Sequence, residues 1–106
     1  MRVEKRVLCE EGVRRVPEQF SWVDHRLVRD GYTRRCPAAV WGLYLFLVTV
    51  GDAEGLSYYS DRSLCRELNL SEGDLAASRK RLVEEELLAW EAPLYQVLSV
   101  PERRRA

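Results

Sequence analysis

Apolar positions follow different rhythms in successive parts of this chain. From Ala38 to Val50 nearly every residue is apolar, with Gly42 and Thr49 the exceptions. A run that is apolar almost all round predicts a central buried helix rather than an amphipathic surface one. Pro37 suits its first position. The run is too short for a bilayer span, which needs about 20 apolar residues. Gly51 to Gly55 then supplies turn residues, and Leu56 to Ser60 predicts a short strand.

Leu64, Leu68 and Leu70 carry helical spacing and the entry of the following chain into the core. They predict a short helix that starts behind the cap Ser60 and ends at Asn69, a residue type that tolerates a left-handed backbone. Ser71 begins a second helix: its hydroxyl accepts from the free amides of the next turn, and Asp74 reciprocates as a capping box. Leu87 to Val100 predicts a closing hairpin whose tight turn lies between Trp90 and Tyr95. Ahead of the apolar run, Phe20 to Gly31 predicts a helix capped by Ser21, with Asp24 at its third position, an apolar stripe of Val23, Leu27 and Val28, and Gly31 as its stop. Residues 1–19 admit two readings. Arg2 to Cys9 and Val13 to Val16 form two strands about Glu10, Glu11 and Gly12, or the first residues are disordered.

Strand, helix, tight turn, helix and hairpin is the order of a winged helix-turn-helix. The segment Ser60 to Ser71 resembles the winged-helix pattern of bacterial regulators and of the N-terminal domain of plasmid replication initiators, with Cys65 at the small position after the first leucine. The resemblance covers roughly residues 37 to 100 and rests on pattern rather than on an invariant signature. It implies an α+β fold, with a three-helix core and a small antiparallel sheet, over residues 20–100. Residues 1–19 form an extension to it, followed by a helix, and residues 101–106 a basic tail. It further implies a regulator, or an accessory factor for replication of a plasmid or other mobile element.

With double-stranded DNA as the implied partner, the contacts fall on Arg62 and Arg66 of the first helix. On the second they fall on Ser71, Asp74, Ala77, Ser78, Arg79, Lys80 and Arg81, and Arg103, Arg104 and Arg105 follow a phosphate backbone. Two departures from the family pattern stand out. Arg79 occupies a place that is usually apolar, four residues after Leu75, and Glu86 stands where the helix often ends on glycine. The second helix also opens on Glu72 and Asp74, so a groove meets two carboxylates before any cation. The wing tip has no Lys or Arg, so minor-groove insertion by it is not expected.

Charge changes the picture. Seventeen basic and seventeen acidic side chains cancel in a chain of 106 residues, whereas phosphate binding usually leaves a basic excess. Any DNA-binding face must therefore come from local clustering. Two electrostatic outcomes separate the readings: a continuous positive stripe over Arg62, Arg66, Arg79, Lys80 and Arg81 favours DNA, and an acidic face over Glu72, Asp74 and Ala77 favours a protein partner. For Arg62, Arg66, Arg34, Arg35 and the Arg103 to Arg105 tail, the alternative is solvated faces paired with Asp61, Glu67 and Glu72.

At 46% hydrophobic and 32% charged, the composition is that of one compact domain, not a membrane protein. The first residues lack the apolar core of a signal peptide. Cys9, Cys36 and Cys65 are odd in number and widely spaced, which fits a reducing cytoplasm and gives no metal motif. His25 stands alone, and the glycines at 12, 31, 42, 51, 55 and 73 are too scattered for a phosphate loop. No cofactor and no enzymatic activity are expected. Tyr58, Tyr59, Trp90 and Tyr95 invite comparison with a base-stacking platform, but strand alternation sends one of Tyr58 and Tyr59 into the core. Trp41, Tyr44 and Phe46 are expected in the core or against a second subunit of a homodimer.

Overall fold

The computed structural model of the chain describes residues 2–102. Its elements in order are a 3-10 turn at Glu10–Gly12, helices α1 (Arg26–Arg29), α2 (Tyr32–Arg35) and α3 (Ala38–Val50), strand β1 (Leu56–Tyr58), helices α4 (Asp61–Leu68) and α5 (Glu72–Glu84), and strands β2 (Leu88–Glu91) and β3 (Leu94–Val97). The fold is α+β. β3 lies between β1 and β2, antiparallel to both, with Leu56 opposite Gln96 and Trp90 opposite Tyr95. The arrangement is compatible with the winged-helix expectation.

Local chemistry explains the boundaries from Gly51 onward. The Asp52 carboxylate accepts from the amides of Glu54 and Leu56, both at 2.9 Å, which closes the turn after α3. Gly55 is required there: its φ is 82°, and a Cβ would meet the Val97 carbonyl oxygen at 2.6 Å. Ser60 Oγ accepts from the Ser63 amide, and Ser71 Oγ from the Asp74 amide, so both expected serine caps are formed. The reciprocal half of the capping box, a bond from the Ser71 amide to the Asp74 carboxylate, is absent among the described residues. Asn69 adopts the expected left-handed conformation, with φ 53°.

Burial assembles one core. Leu43 and Leu47 of α3, Leu64 of α4, Leu75 and Leu82 of α5, Leu87, and Tyr95 of β3 are fully shielded. Each such leucine contributes about 1.5–3 kcal/mol relative to exposure. α3 packs chiefly on α5, which in turn carries α4 and β2. The expectation that α3 is buried all round is only partly met. Val40, Leu43, Tyr44 and Leu47 face inward, while Leu45 is 61% exposed, because no further layer covers the outer side of the helix.

Upstream of Pro37 the sequence expectations need correction. No strand forms in residues 2–19, where Val3, Val7, Leu8, Val13 and Val16 are all exposed; without a partner sheet the apolar residues of that segment have nothing to pair against. The helix expected from Ser21 is reduced to α1. Asp24 does the capping instead, its Oδ1 accepting from the Arg26 amide at 2.8 Å, and the rest of that carboxylate chelates the Arg26 guanidinium. Of the proposed stripe only Leu27 is buried, with Val23 and Val28 left in solvent. Gly31, φ 81°, does stop α1, but the chain then turns at once into α2, whose Tyr32 is buried. Among the described residues no helix is long and apolar enough to cross a membrane.

Candidate nucleic-acid interface

Helix α4, the turn at Asn69 and Leu70, and helix α5 form the unit on which the sequence placed its contacts. The turn is held by amides that fold back onto α4: those of Asn69 and Leu70 both donate to the Cys65 carbonyl. Beyond the turn the Ser71 cap leaves Glu72, Gly73 and Asp74 in solvent, followed by Ala76, Ala77 and Lys80. The small side chains of Gly73, Ala76 and Ala77 leave the α5 backbone open to close approach by a partner. Arg62 and Arg66, one turn apart on α4, are exposed and make no ion pair among the described residues. Lys80 is in the same state.

Ser78 and Arg79 do not belong to that face. Ser78 is 3% and Arg79 6% exposed. The Arg79 guanidinium donates to Asp61 Oδ1 at 2.8 Å and to the Tyr95 hydroxyl at 2.9 Å, and its carbon stands 3.7 Å from the centroid of the Trp90 ring. One side chain thus joins α5 to the start of α4 and to both strands of the hairpin. Burial works against its charge, but the bonds to Asp61 and Tyr95 outweigh burial and raise its pKa above the ordinary arginine value. The Tyr95 phenol is itself pushed up, mainly by burial.

Arg81 is half-buried and engaged twice, with Glu85 at 3.2 Å and with the Arg35 carbonyl at 3.1 Å. Glu85 also receives Arg35 at 2.9 Å, and these two guanidinium groups, Arg35 first, hold its carboxyl below the usual range. The stripe proposed over Arg62, Arg66, Arg79, Lys80 and Arg81 is therefore interrupted, because Arg79 satisfies internal partners and Arg81 braces α5 against the end of α2. What remains on the α4–α5 surface is Arg62, Arg66 and Lys80, beside the carboxylates Glu67, Glu72 and Asp74. Arg103, Arg104 and Arg105 lie outside the described residues.

No family model, curated protein or solved structure matches this chain.

The aromatic residues do not make a stacking platform. Tyr58 is 75% exposed, whereas Tyr59 packs edge-on against Phe46 with ring centroids 5.1 Å apart. Tyr95 is buried, and one face of Trp90 is covered by Arg79. The role of Arg79 was missed although its signal was present. A long cation at a place expected to be apolar has to find a carboxylate, and Asp61 at the start of the preceding helix was within reach of the turn geometry. The bond from Arg35 to Glu85 had no sequence signal, since it joins residues 50 positions apart, whereas Arg81 and Glu85 have the four-residue spacing of a helical ion pair.

Proposed function

We propose that this chain is a winged-helix module that binds double-stranded DNA mainly through the phosphate backbone, as a regulator or as an accessory factor of a mobile element. The observation that carries the reading is the exposure of Arg62, Arg66 and Lys80, without ion pairs among the described residues, on the two packed helices that also expose the small residues Gly73, Ala76 and Ala77. Cations at the rim of a face that admits close approach suit a duplex: the rim holds phosphates while the helix lies in the groove. With Arg79 and Arg81 engaged internally, few side chains remain to read base edges. The expected binding is accordingly salt-sensitive and weakly selective.

Glu72 and Asp74 favour a second reading, a winged-helix module for protein partners. Both carboxylates are exposed at the start of α5, where they suit the helix dipole and repel phosphate. Selection from a random duplex library at moderate salt separates the two. Enrichment of duplex over unbound pools, with shallow base preference, supports the DNA reading. Failure to retain any duplex at low salt transfers the α5 face to a protein partner.

A further inference from the structure

Away from α4 and α5, a cavity of about 540 Å³ opens between the chain entering the fold at Phe20–Asp24, the inner face of α3, the turn at Gly51–Gly55 and the segment that follows β3. Its size lies within the usual range of about 300–1,000 Å³ for small-molecule sites. Three aromatic residues line it: Phe20 and Trp22, which are 67% and 74% exposed, and Tyr44, which is 8% exposed. Two rings held in solvent at the mouth of a cavity are unusual for side chains that gain by burial.

Tyr44 supplies an observation of its own. The residue is largely buried, but its hydroxyl, which makes no hydrogen bond among the described residues, still reaches solvent. Burial raises its pKa, with the Asp24 charge adding to the effect. A ligand group can take the place of the water that such an accessible hydroxyl meets.

Charge narrows the chemistry of that ligand. The lining contains Asp24, Asp52 and Glu54 against Arg26, three negative charges to one positive. The Asp24 carboxylate is chelated by Arg26, and Asp52 accepts from two backbone amides. Glu54 has no ion-pair partner among the described residues. A phosphate or carboxylate ligand is disfavoured in such a field. A bare metal ion is not served either, since no group of three potential ligands converges among the described residues. Aromatic faces beside carboxylates attract organic cations.

We infer that this cavity binds a small organic cation, an ammonium or amidinium on a flat apolar body, which stacks on Trp22 and Phe20, meets the Tyr44 hydroxyl, and is held by the field of Asp52 and Glu54. The site does not depend on the DNA-binding reading, and its test uses no nucleic acid. The full chain, labelled with nitrogen-15, is titrated with benzamidine, with neutral benzamide and with anionic benzoate, while the assigned indole signals of Trp22, Trp41 and Trp90 are followed. Benzamidine should shift the Trp22 signal and the amides of Gly51 and Gly55 saturably, leaving Trp90 in place. Benzamide should bind at least about fivefold more weakly, as befits loss of the cation, and benzoate should not bind.

Tyr44→Phe, which keeps the packing, and Glu54→Gln, on the surface, should each weaken benzamidine about two- to tenfold with unchanged melting. Equal binding of benzamide or benzoate, shifts confined to Trp90, or no saturation below about 10 mM, weaker than the roughly 1 mM that a −4.1 kcal/mol contact gives, would overturn the assignment.

Discussion

Arg79 holds its guanidinium carbon over the Trp90 ring, 3.7 Å from the centroid, while the same group bonds Asp61. The contact fixes the hairpin against the two helices that precede it. It also removes from solvent the cation that stands at the centre of the α5 sequence.

This arrangement separates three substitutions. Arg79→Ala should lower stability by about 2–4 kcal/mol, because it loses the stacked stem and leaves the Tyr95 hydroxyl buried and unpaired. Arg79→Leu should cost less, since a shaped apolar residue often replaces a buried ion pair without loss. Adding Tyr95→Phe to Arg79→Leu removes the orphaned hydroxyl and should recover stability further. Urea unfolding of the three variants measures the order; Arg79→Ala as stable as the parent would place this side chain in solvent.

Glu86 ends α5 with φ 62°, and the amides of Glu86 and Leu87 return to the carbonyls of Val83 and Leu82. This is the Schellman pattern with a side chain where glycine is favoured. Glu86→Gly should stabilise by about 0.5–1 kcal/mol by relieving the left-handed backbone, whereas Glu86→Ala should give no comparable gain. Thermal melting of both variants checks the difference.

Asp24 provides a pH signature. The hydrogen bonds from Arg26 lower its pKa from 3.8 to about 2. The folded value lies below the unfolded one, so the stabilisation is present above pH 3.8 and is lost as pH falls through about 2. The difference in melting temperature between parent and Asp24→Asn should therefore shrink from pH 4 to pH 2. A difference that stays constant over that interval would show that the carboxylate titrates normally.

Legibility in the sequence followed the range of the interactions. The Ser60 and Ser71 caps, the left-handed Asn69 and the Gly51 to Gly55 turn depend on neighbours within a few residues, and each was readable. Leu64 was readable as core from its helical spacing. The start of the chain was not. Val23 and Val28 have the spacing of a buried stripe, yet nothing in the fold covers them, and spacing cannot say what lies opposite. At the candidate site, exposure of Arg62, Arg66 and Lys80 agreed with helical position. The inward turn of Arg79 required knowing that Asp61, Trp90 and Tyr95 meet at one point.

Asp74 distinguishes the two readings of α5. It is exposed in the first turn, so Asp74→Asn should cost about 0.3–1 kcal/mol of stability through the helix dipole. Removing a charge repelled by phosphate should at the same time strengthen non-specific duplex binding. Fluorescence anisotropy with a random duplex measures the second effect. Unchanged duplex affinity together with loss of a protein partner in pull-down would favour the protein-partner module.

The most direct test of the DNA reading is the salt dependence of that same anisotropy titration. It compares the parent with the triple variant Arg62→Ala, Arg66→Ala and Lys80→Ala. Each phosphate contact contributes about 0.9 to the slope of log affinity against log salt. The account predicts weaker binding in the variant at every salt concentration and a slope shallower by about 2 to 3. A parent that fails to bind at low salt, or a variant with an unchanged slope, would contradict it.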